Sequence, residues 1–442
     1  MMKSAKIKDL FVIDTSSKIL AKEAIIKGKY PFYTSGGNVK LLDSFQFNTR
    51  GIVIGKGGNP NWHFADGMFS ISSDCCLLKS KQEYVDVKYA YYYLCAKPSL
   101  LDRLYKGAGI KHISIDDIRD IQIDFPEPSV QQMIVTIMSF LDDIIEKRKA
   151  IIDKMSDVLL SYYLAVTDKA NGIEEYKIKD ISSDIKSGPY GSQLLISQIK
   201  EEGEIYVLGM DDIKDNFIVK KERLSYLPMV EFSKFKRFLV KESDVLVSIM
   251  GSLGYSSVVP RDFGVAINTK HLADITPIVE RCNPYFLSYA LRKDPHIKNQ
   301  IMSRKRGAIM AGLTLADLKS ITVKLPTIKA QKLFGQVYCK YNSIEKDMKK
   351  ELSLLEDLRV SLLNEFFLKL QDSLSDRQES YHADDGIGAI VRLIEQGGFN
   401  NLANYDEMRK MLYEYLDKGL VIQSYDQATG TIKLHIDETH KS

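Results

Sequence analysis

Hydrophobic and polar positions follow two rhythms along this chain, and the rhythms alternate. Short apolar runs closed by glycine, such as "GIVIG" (51–55) and "DVLVSI" (244–249), predict β-strands. Two long stretches instead repeat apolar residues at alternating spacings of four and three, "PSVQQMIVTIMSFLDDIIEKRKAIIDKMSDVLLSYYL" (128–164) and "TIKAQKLFGQVYCKYNSIEKDMKKELSLLEDLRVSLLNEFFL" (327–368). In the first, the expected seam runs through Val130, Ile134, Ile137, Leu141, Ile144, Arg148, Ile151, Met155, Val158 and Tyr162. In the second it runs through Ala330, Phe334, Val337, Tyr341, Ile344, Met348, Glu351, Leu355, Leu358 and Leu362. Periodicity sustained over that length predicts coiled-coil pairing, with each helix the natural partner of the other. Helices of about 33 residues would be about 50 Å long. Arg148 and Glu351 are the charged seam positions and are expected to fix register in an antiparallel pair.

Corresponding seam positions differ by 200, and the same offset holds upstream. "KGAGIKHISIDDIRDIQIDFP" ends at Pro126 and "RGAIMAGLTLADLKSITVKLP" at Pro326. A fainter echo precedes them. "KIKDL" (6–10) recurs as "KIKDI" (177–181), "GKYPFYTSGG" (28–37) lies on "GEIYVLGMDD" (203–212), and a short helix is predicted in each unit, from Val87 and from Asn283. The offset at the start is 171 (177 minus 6), so the two units share a plan but differ in loop lengths. The predicted domains are 1–125 and 169–325, β-rich; 126–168 and 326–370, helical; a polar linker at 371–385; and a small extension at 386–442. Two helical patterns and a hairpin across "DQATG" make that extension winged-helix-like.

Composition narrows the class without naming a ligand. At 442 residues the chain is too long for one core, and 45% apolar with 27% charged residues is ordinary for a globular protein. Five cysteines form no CxxC pair, a reducing cytoplasmic setting fits them, and neither a secretory leader nor a membrane span is predicted. A net charge of +3 neither demands nor excludes a polyanionic partner.

Candidate ligand contacts lie in glycine-rich loops. In the first unit "YTSGGNVK" (33–40) offers Tyr33, Ser35, Gly36, Gly37, Asn38 and Lys40, and "GKGGNPNWHF" (55–64) offers Lys56, Asn59, Asn61, Trp62 and His63. In the second, "KSGPYGSQ" (186–193) offers Lys186, Ser187, Tyr190, Ser192 and Gln193. "MGSLGYSS" (250–257) adds Ser252 and Tyr255, and Lys270 lies nearby in sequence. Exposed glycine amides, hydroxyls and Lys suit phosphates, while Asn, Gln, Arg and Lys match base edges; any β-rich domain also turns on such residues. Basic residues before each echo, Lys106 in one and Arg304, Lys305 and Arg306 in the other, are placed to neutralise phosphates, or else to cap a solvated helix end.

Signals for chemistry are weaker. "GIVIGKGG" lacks the GxxxxGK[ST] spacing of a P-loop, and "NPYF" (283–286) reads as Asn283 capping a helix with Pro284 in its first turn. Seven histidines are scattered without ligand spacing, so no metal site is expected.

Taken together, the duplicated ends "GIKHISIDDIRDIQIDFP" and "GLTLADLKSITVKLP", each leading through "SVQQMIV" or "KAQKLFG" into a long helix, resemble the specificity subunit of type I restriction-modification systems over about residues 1–369. The resemblance implies an α+β fold in which two β-rich target recognition domains are separated by two long antiparallel coiled-coil helices, with pseudo-twofold symmetry. Each domain would read one half of a split sequence in double-stranded DNA, with the helices setting the gap. It further implies a non-catalytic chain without a cofactor of its own. Its implied partners are two modification subunits, which methylate adenine with S-adenosylmethionine, and ATP-dependent restriction subunits. The extension after Leu370 departs from the family plan, and "GKGGNPNWHF" shows no clear counterpart to "MGSLGYSS". The competing reading is a coiled-coil scaffold carrying two protein- or sugar-binding modules; a standalone nuclease or methyltransferase is the third.

Overall fold

The computed structural model describes residues 2–81, 84–107, 109, 111–169, 173–190, 193–213, 218, 225–305, 312–369, 421–426 and 431–436. The chain divides into two compact units, Met1–Glu146 with Ser353–Ser442, and Lys147–Leu352. This partition cuts both long helices, whereas the sequence placed its boundaries at their ends.

In the first unit Lys3–Lys6 pairs antiparallel with Gln122–Phe125, with Lys6 opposite Gln122. In the second, Glu174–Lys177 pairs with Thr322–Leu325, with Lys177 opposite Thr322. The echoing beginning of each unit is thus bonded to its echoing end. The closing strands alternate as a half-buried strand should: Ile123 and Phe125 are buried with Gln122 and Asp124 facing out, and Val323 and Leu325 repeat the pattern.

Beyond that closing pair, each unit has two further sheets among the described residues, of matching order except that one sheet of the first unit carries a fourth strand, Phe47–Asn48. One runs Phe11–Asp14, Cys75–Ser80, Gly51–Gly55, Trp62–Ala65 in the first unit, and Ser182–Ser187, Leu272–Pro277, Val245–Ser248, Ser256–Val258 in the second. The other contains a parallel pair in each case, Tyr30–Tyr33 with Met68–Ile71 and Ile205–Leu208 with Ala266–Asn268. The short helices are Val87–Cys95, capped by the Asp86 carboxylate, and Pro284–Lys293, capped by Asn283, whose side chain accepts from the Phe286 amide at 3.1 Å. In the extension Val421–Asp426 and Thr431–Ile436 form the expected hairpin; its helical patterns lie outside the described residues.

The junction into each long helix is built on a buried glutamine. Gln131 is 1% exposed; its Oε1 accepts from the Asp86 amide (2.9 Å), and its Nε2 donates to the carbonyls of Tyr84 (2.9 Å) and Pro126 (2.8 Å). Gln331, also 1% exposed, accepts from the Asn283 amide (2.9 Å) and donates to Arg281 (3.1 Å) and Pro326 (2.8 Å). One carboxamide therefore joins the end of the last strand, the entry to the short helix and the first turn of the long one. At the second junction Gly335 admits the cap, since a Cβ there would lie 2.7 Å from Asn283 Oδ1.

The long helices are Pro128–Lys169 and Ile328–Asn364, the latter closed by a π-helical turn at Glu365–Lys369. The first unit's core takes in Ile134 and Met138 from one and Leu363, with Phe366 and Phe367 of the turn, from the other. In the second, Arg148 meets Glu351 at 3.0 Å and Tyr162 stacks on Phe334 at 5.7 Å, so the two segments run antiparallel there. Half of the expected seam moves by one residue. Ile134, Leu141 and Met348 are buried and Met155, Tyr341 and Leu355 half-buried, but Ile151 and Val158 are 47% and 68% exposed, and Val337 and Ile344 each 40%. Their neighbours Ile152, Leu159, Tyr338 and Glu345 turn inward instead, as do Met138 and Ile145 in place of Ile137 and Ile144, which stay half-buried. Leu358 is half-buried and Glu351 exposed, with Leu352 and Arg359 in the inward row. In the first helix the reason is a tie: Ile144–Ile145, Ile151–Ile152 and Val158–Leu159 each offer two adjacent apolar residues, and periodicity cannot choose between them; in the second, Glu345 faces inward although its neighbour Ile344 is the apolar one. The corrected row keeps the 200-residue displacement. Asp142 and Arg359, absent from the expected seam, form a 2.6 Å ion pair, and Asp142 also accepts from the Tyr92 hydroxyl (2.8 Å).

Replacing Gln131 or Gln331 with Ala strands one amide and two carbonyls in a buried site, a loss of about 3 kcal/mol. Urea unfolding of each variant should show it, whereas Ser129→Ala and Lys329→Ala, at exposed positions two residues before each glutamine, should leave the midpoint unchanged.

Candidate nucleic-acid interface

The first unit brings three of its predicted segments together. The loop after Gly51–Gly55 is closed where the Gly55 amide donates to the Asn61 carbonyl (3.3 Å). Its other sides are fixed by Lys56 N to Asp74 O (2.7 Å), Ile113 N to Lys56 O (3.0 Å) and Gly58 N to Lys111 O (2.9 Å). Gly57 lies against the His112 ring, where a Cβ would come within 3.0 Å, and Gly58 holds φ +87°, a left-handed conformation that glycine adopts freely. The Asn61 Nδ2 donates to the carbonyl of Ser35 in the adjacent loop and to Asn59 O (3.2 Å). Gly36, Gly37, Asn38, Lys40 and Asn59 are exposed, with Lys40 Nζ reaching Ala21 O at 3.4 Å. Tyr33 is buried, and its ring lies 5.3 Å from that of half-buried His63. Burial pushes the Tyr33 phenol up and the His63 imidazole down, so the histidine favours its neutral form. Lys106 is exposed, 3.5 Å from Asp117.

The second unit supplies a counterpart the sequence hid. Leu313 N donates to Ile249 O (2.8 Å) as Ile113 N does to Lys56 O, and Met250 bridges Gly312 as Gly57 bridges His112. Gly251 (φ +75°) stands where Gly58 does. "GKGG" therefore superposes on "SIMG" (248–251), and the two loops occupy the same place despite sharing one glycine. Ser252 and Tyr255 are exposed on this loop, with the Arg292 guanidinium 5.1 Å from the Tyr255 ring centroid.

The laying of "GKYPFYTSGG" on "GEIYVLGMDD" holds in the structure. By strand pairing the counterpart of "YTSGG" is the segment after Leu208, because Ser72 N donates to Tyr33 O (2.8 Å) as Thr269 N does to Leu208 O (2.9 Å). "KSGPYGSQ" instead follows the strand equivalent to Phe11–Asp14. There Gly188 presses on Asn268, where a Cβ would sit 1.9 Å from the carbonyl. Ser187 is buried and donates to the Tyr190 hydroxyl (3.1 Å); Tyr190 is exposed, and its amide donates to Gln193 Oε1 (3.1 Å). Lys186 turns inward, away from its expected phosphate role: Nζ donates to Leu239 O (2.9 Å) and lies 3.4 Å from the carboxylate of Asp274, which is 1% exposed. Lys270 is half-buried, Arg304 donates to Gln300 O (3.0 Å) at its helix end, and Lys305 is exposed. Ser192 and Arg306 lie outside the described residues.

Sequence reasoning missed Asp244 and Asp274, two buried carboxylates, one just before the strand Val245–Ser248 and one on the strand Leu272–Pro277. Asp244 accepts from Thr276 Oγ1 (2.7 Å) and the Lys241 amide (2.7 Å). Burial, and next the Asp244 charge, push Asp274 up to about 8.

A family model described as the type I restriction modification DNA specificity domain matches residues 1–155 and again 171–354. The chain belongs to that family, whose domain confers DNA sequence specificity. It is similar to the EcoBI type I restriction enzyme specificity subunit of Escherichia coli, 22% identical over 78% of this chain and 77% of that one. A putative type I specificity subunit of Mycoplasma pneumoniae is 26% identical over 75% and 86%. The fold matches the crystal structure of a type I restriction-modification S subunit from M. genitalium with TM-score 0.56 at 21% identity, over 83% of this chain and 96% of that one. Among the described residues no helix is long and apolar enough to cross a membrane.

Because the folded state keeps Asp274 protonated to about pH 8 while an unfolded carboxyl ionises near 3.8, its contribution to stability should fall as pH rises through that window and level off above it. Melting temperatures of Asp274→Asn, which cannot ionise, should lose that part of the slope; a slope identical to that of the unsubstituted protein excludes the buried acid.

Proposed function

We propose that the chain is the DNA-recognition subunit of a type I restriction-modification complex. Each β-rich unit reads one half of an asymmetric bipartite target, and the long helices act as a coiled-coil spacer that sets the gap. Modification subunits carrying S-adenosylmethionine and restriction subunits dock on the chain and supply the chemistry. The observation that carries this reading is the pair of equivalently bonded loops, 55–61 and 248–255, held on the same frame by Ile113 and Leu313 but lined by different side chains. A twofold dimer imposes a palindrome; two diverged units in one chain read two unlike halves. Non-specific attraction comes from phosphate neutralisation, for which Lys106 and Lys305, exposed just ahead in sequence of the segments that bridge these loops, are the candidates.

The spacer makes a direct prediction. Four residues inserted near Ser353, in the 37-residue helix Ile328–Asn364, should change the preferred gap between half-sites. Methylation-site sequencing of a host expressing the variant with its modification subunits reads the gap, and an unaltered one removes the ruler role.

Lys106→Ala and Lys305→Ala should weaken binding of the complex to all duplexes alike, each reducing the slope of log affinity against log salt by about 1. A changed sequence preference instead would place these lysines at base edges.

A further inference from the structure

The two equivalent loops are held shut by different side chains, from opposite ends. In the first unit the closing backbone pair is Gly55 with Asn61 (3.3 Å); in the second it is Ser248 with Tyr255 (2.8 Å). Gly55 cannot carry a clamp of its own, because a Cβ would lie 2.8 Å from Ser35 Cα. Asn61, at the far end, supplies it: its Nδ2 reaches Ser35 O in the neighbouring loop and Asn59 O at its own tip. In the second unit the near-end residue has a side chain. Ser248 is fully buried, and its Oγ donates to Ser252 O across the loop (2.6 Å) and accepts from the Tyr255 amide (2.9 Å), while Gly254 N donates to Ser248 O (3.1 Å). Neither side chain is fully exposed as a base reader would be. The exposed residues, Asn59 on one loop and Ser252 and Tyr255 on the other, are the ones they hold.

We infer that Asn61 and Ser248 are specificity-positioning residues, one for each half of the target: each touches no base and instead presents its loop's exposed side chains in a fixed pose. This rests on the reading of the two units as DNA-reading heads. Preorganisation is what such a clamp supplies, because a loop free to take other poses can rearrange to meet incorrect bases, and the difference in affinity between correct and incorrect bases shrinks. Losing a hydrogen bond that orders a contact surface is expected to lower discrimination about tenfold at the positions it serves.

The test is a double dissociation, read by methylation-site sequencing of hosts expressing the full chain with its modification subunits. Asn61→Ala, and the near-isosteric Asn61→Asp that lacks the Nδ2 donor, should broaden the motif in one half only. Ser248→Ala should broaden the other half only, and Ser248→Thr, which keeps the hydroxyl, should retain the unsubstituted motif. The gap should stay constant throughout, a result that loss of the fold would not give. If an alanine variant lowers the yield of complex, binding of the folded fraction to duplexes with single-base changes in each half reads the same discrimination. An unchanged motif in either alanine variant, broadening of the same half by both, or uniform loss across both halves overturns the inference. An unsubstituted complex that modifies no bipartite sequence overturns the underlying reading instead.

Discussion

Everything in each unit hangs on a buried glutamine. A carboxamide removed from water must have its donors and acceptor met, or it costs more than an apolar side chain would. Gln131 and Gln331 each meet that demand with three backbone groups from two segments: the strand end at Pro126 or Pro326, and the entry to the short helix, at its capping residue and two residues before it. The geometry that satisfies one carboxamide therefore admits one arrangement of strand, cap and long helix. The same solution at two places 200 residues apart explains why this stretch echoes so plainly while the loops it supports diverge.

Above that junction the frame is largely backbone. Strand pairing closes each unit on itself, and the loops at 55–61 and 248–255 are placed through amides and carbonyls, with the Asn61 and Ser248 side chains closing them. "GKGG" and "SIMG" occupy one place because the constraint on them is a left-handed glycine and a bridge to the segment before Ile113 or Leu313. Side chains on the exposed rim are free to change. Polar residues nearer the frame are not, as Lys186 shows: its position on Ser182–Ser187 ties it to a buried carboxylate and leaves phosphate contact to others.

Legibility followed the type of constraint. The repeat, the strand runs, the short helices and the Asn283 cap could be read because periodicity and capping are local. The laying of Gly28 on Gly203 was also sound, since Tyr33 and Leu208 accept equivalent backbone bonds. What failed depended on tertiary choice. Adjacent pairs such as Ile151–Ile152 gave no sign of which residue turns inward. Asn61 was legible as a polar residue in a glycine loop, but not its inward aim. Ser248 and Asp274, on otherwise apolar strands, gave no signal at all.

Offsets between equivalent residues locate where the second unit grew. They are 171 at Lys6 and Lys177, 175 at Tyr33 and Leu208, 193 at Gly58 and Gly251, 197 at Asp86 and Asn283, and 200 at Pro126 and Pro326. Most of the added length thus falls between Tyr33 and Gly58 (193 minus 175, or 18 residues), fewer residues fall between Gly58 and Ile113 (200 minus 193, or 7), and none falls from Ile113 to the glutamine junction. Lengthening a surface connection costs little, growing only with the logarithm of its length, whereas a residue added near the junction would break a buried bonding pattern. The fold therefore separates a stretch that tolerates insertion from one that tolerates none, and a unit can enlarge the surface it offers a partner while its attachment to the helix stays the same to the residue.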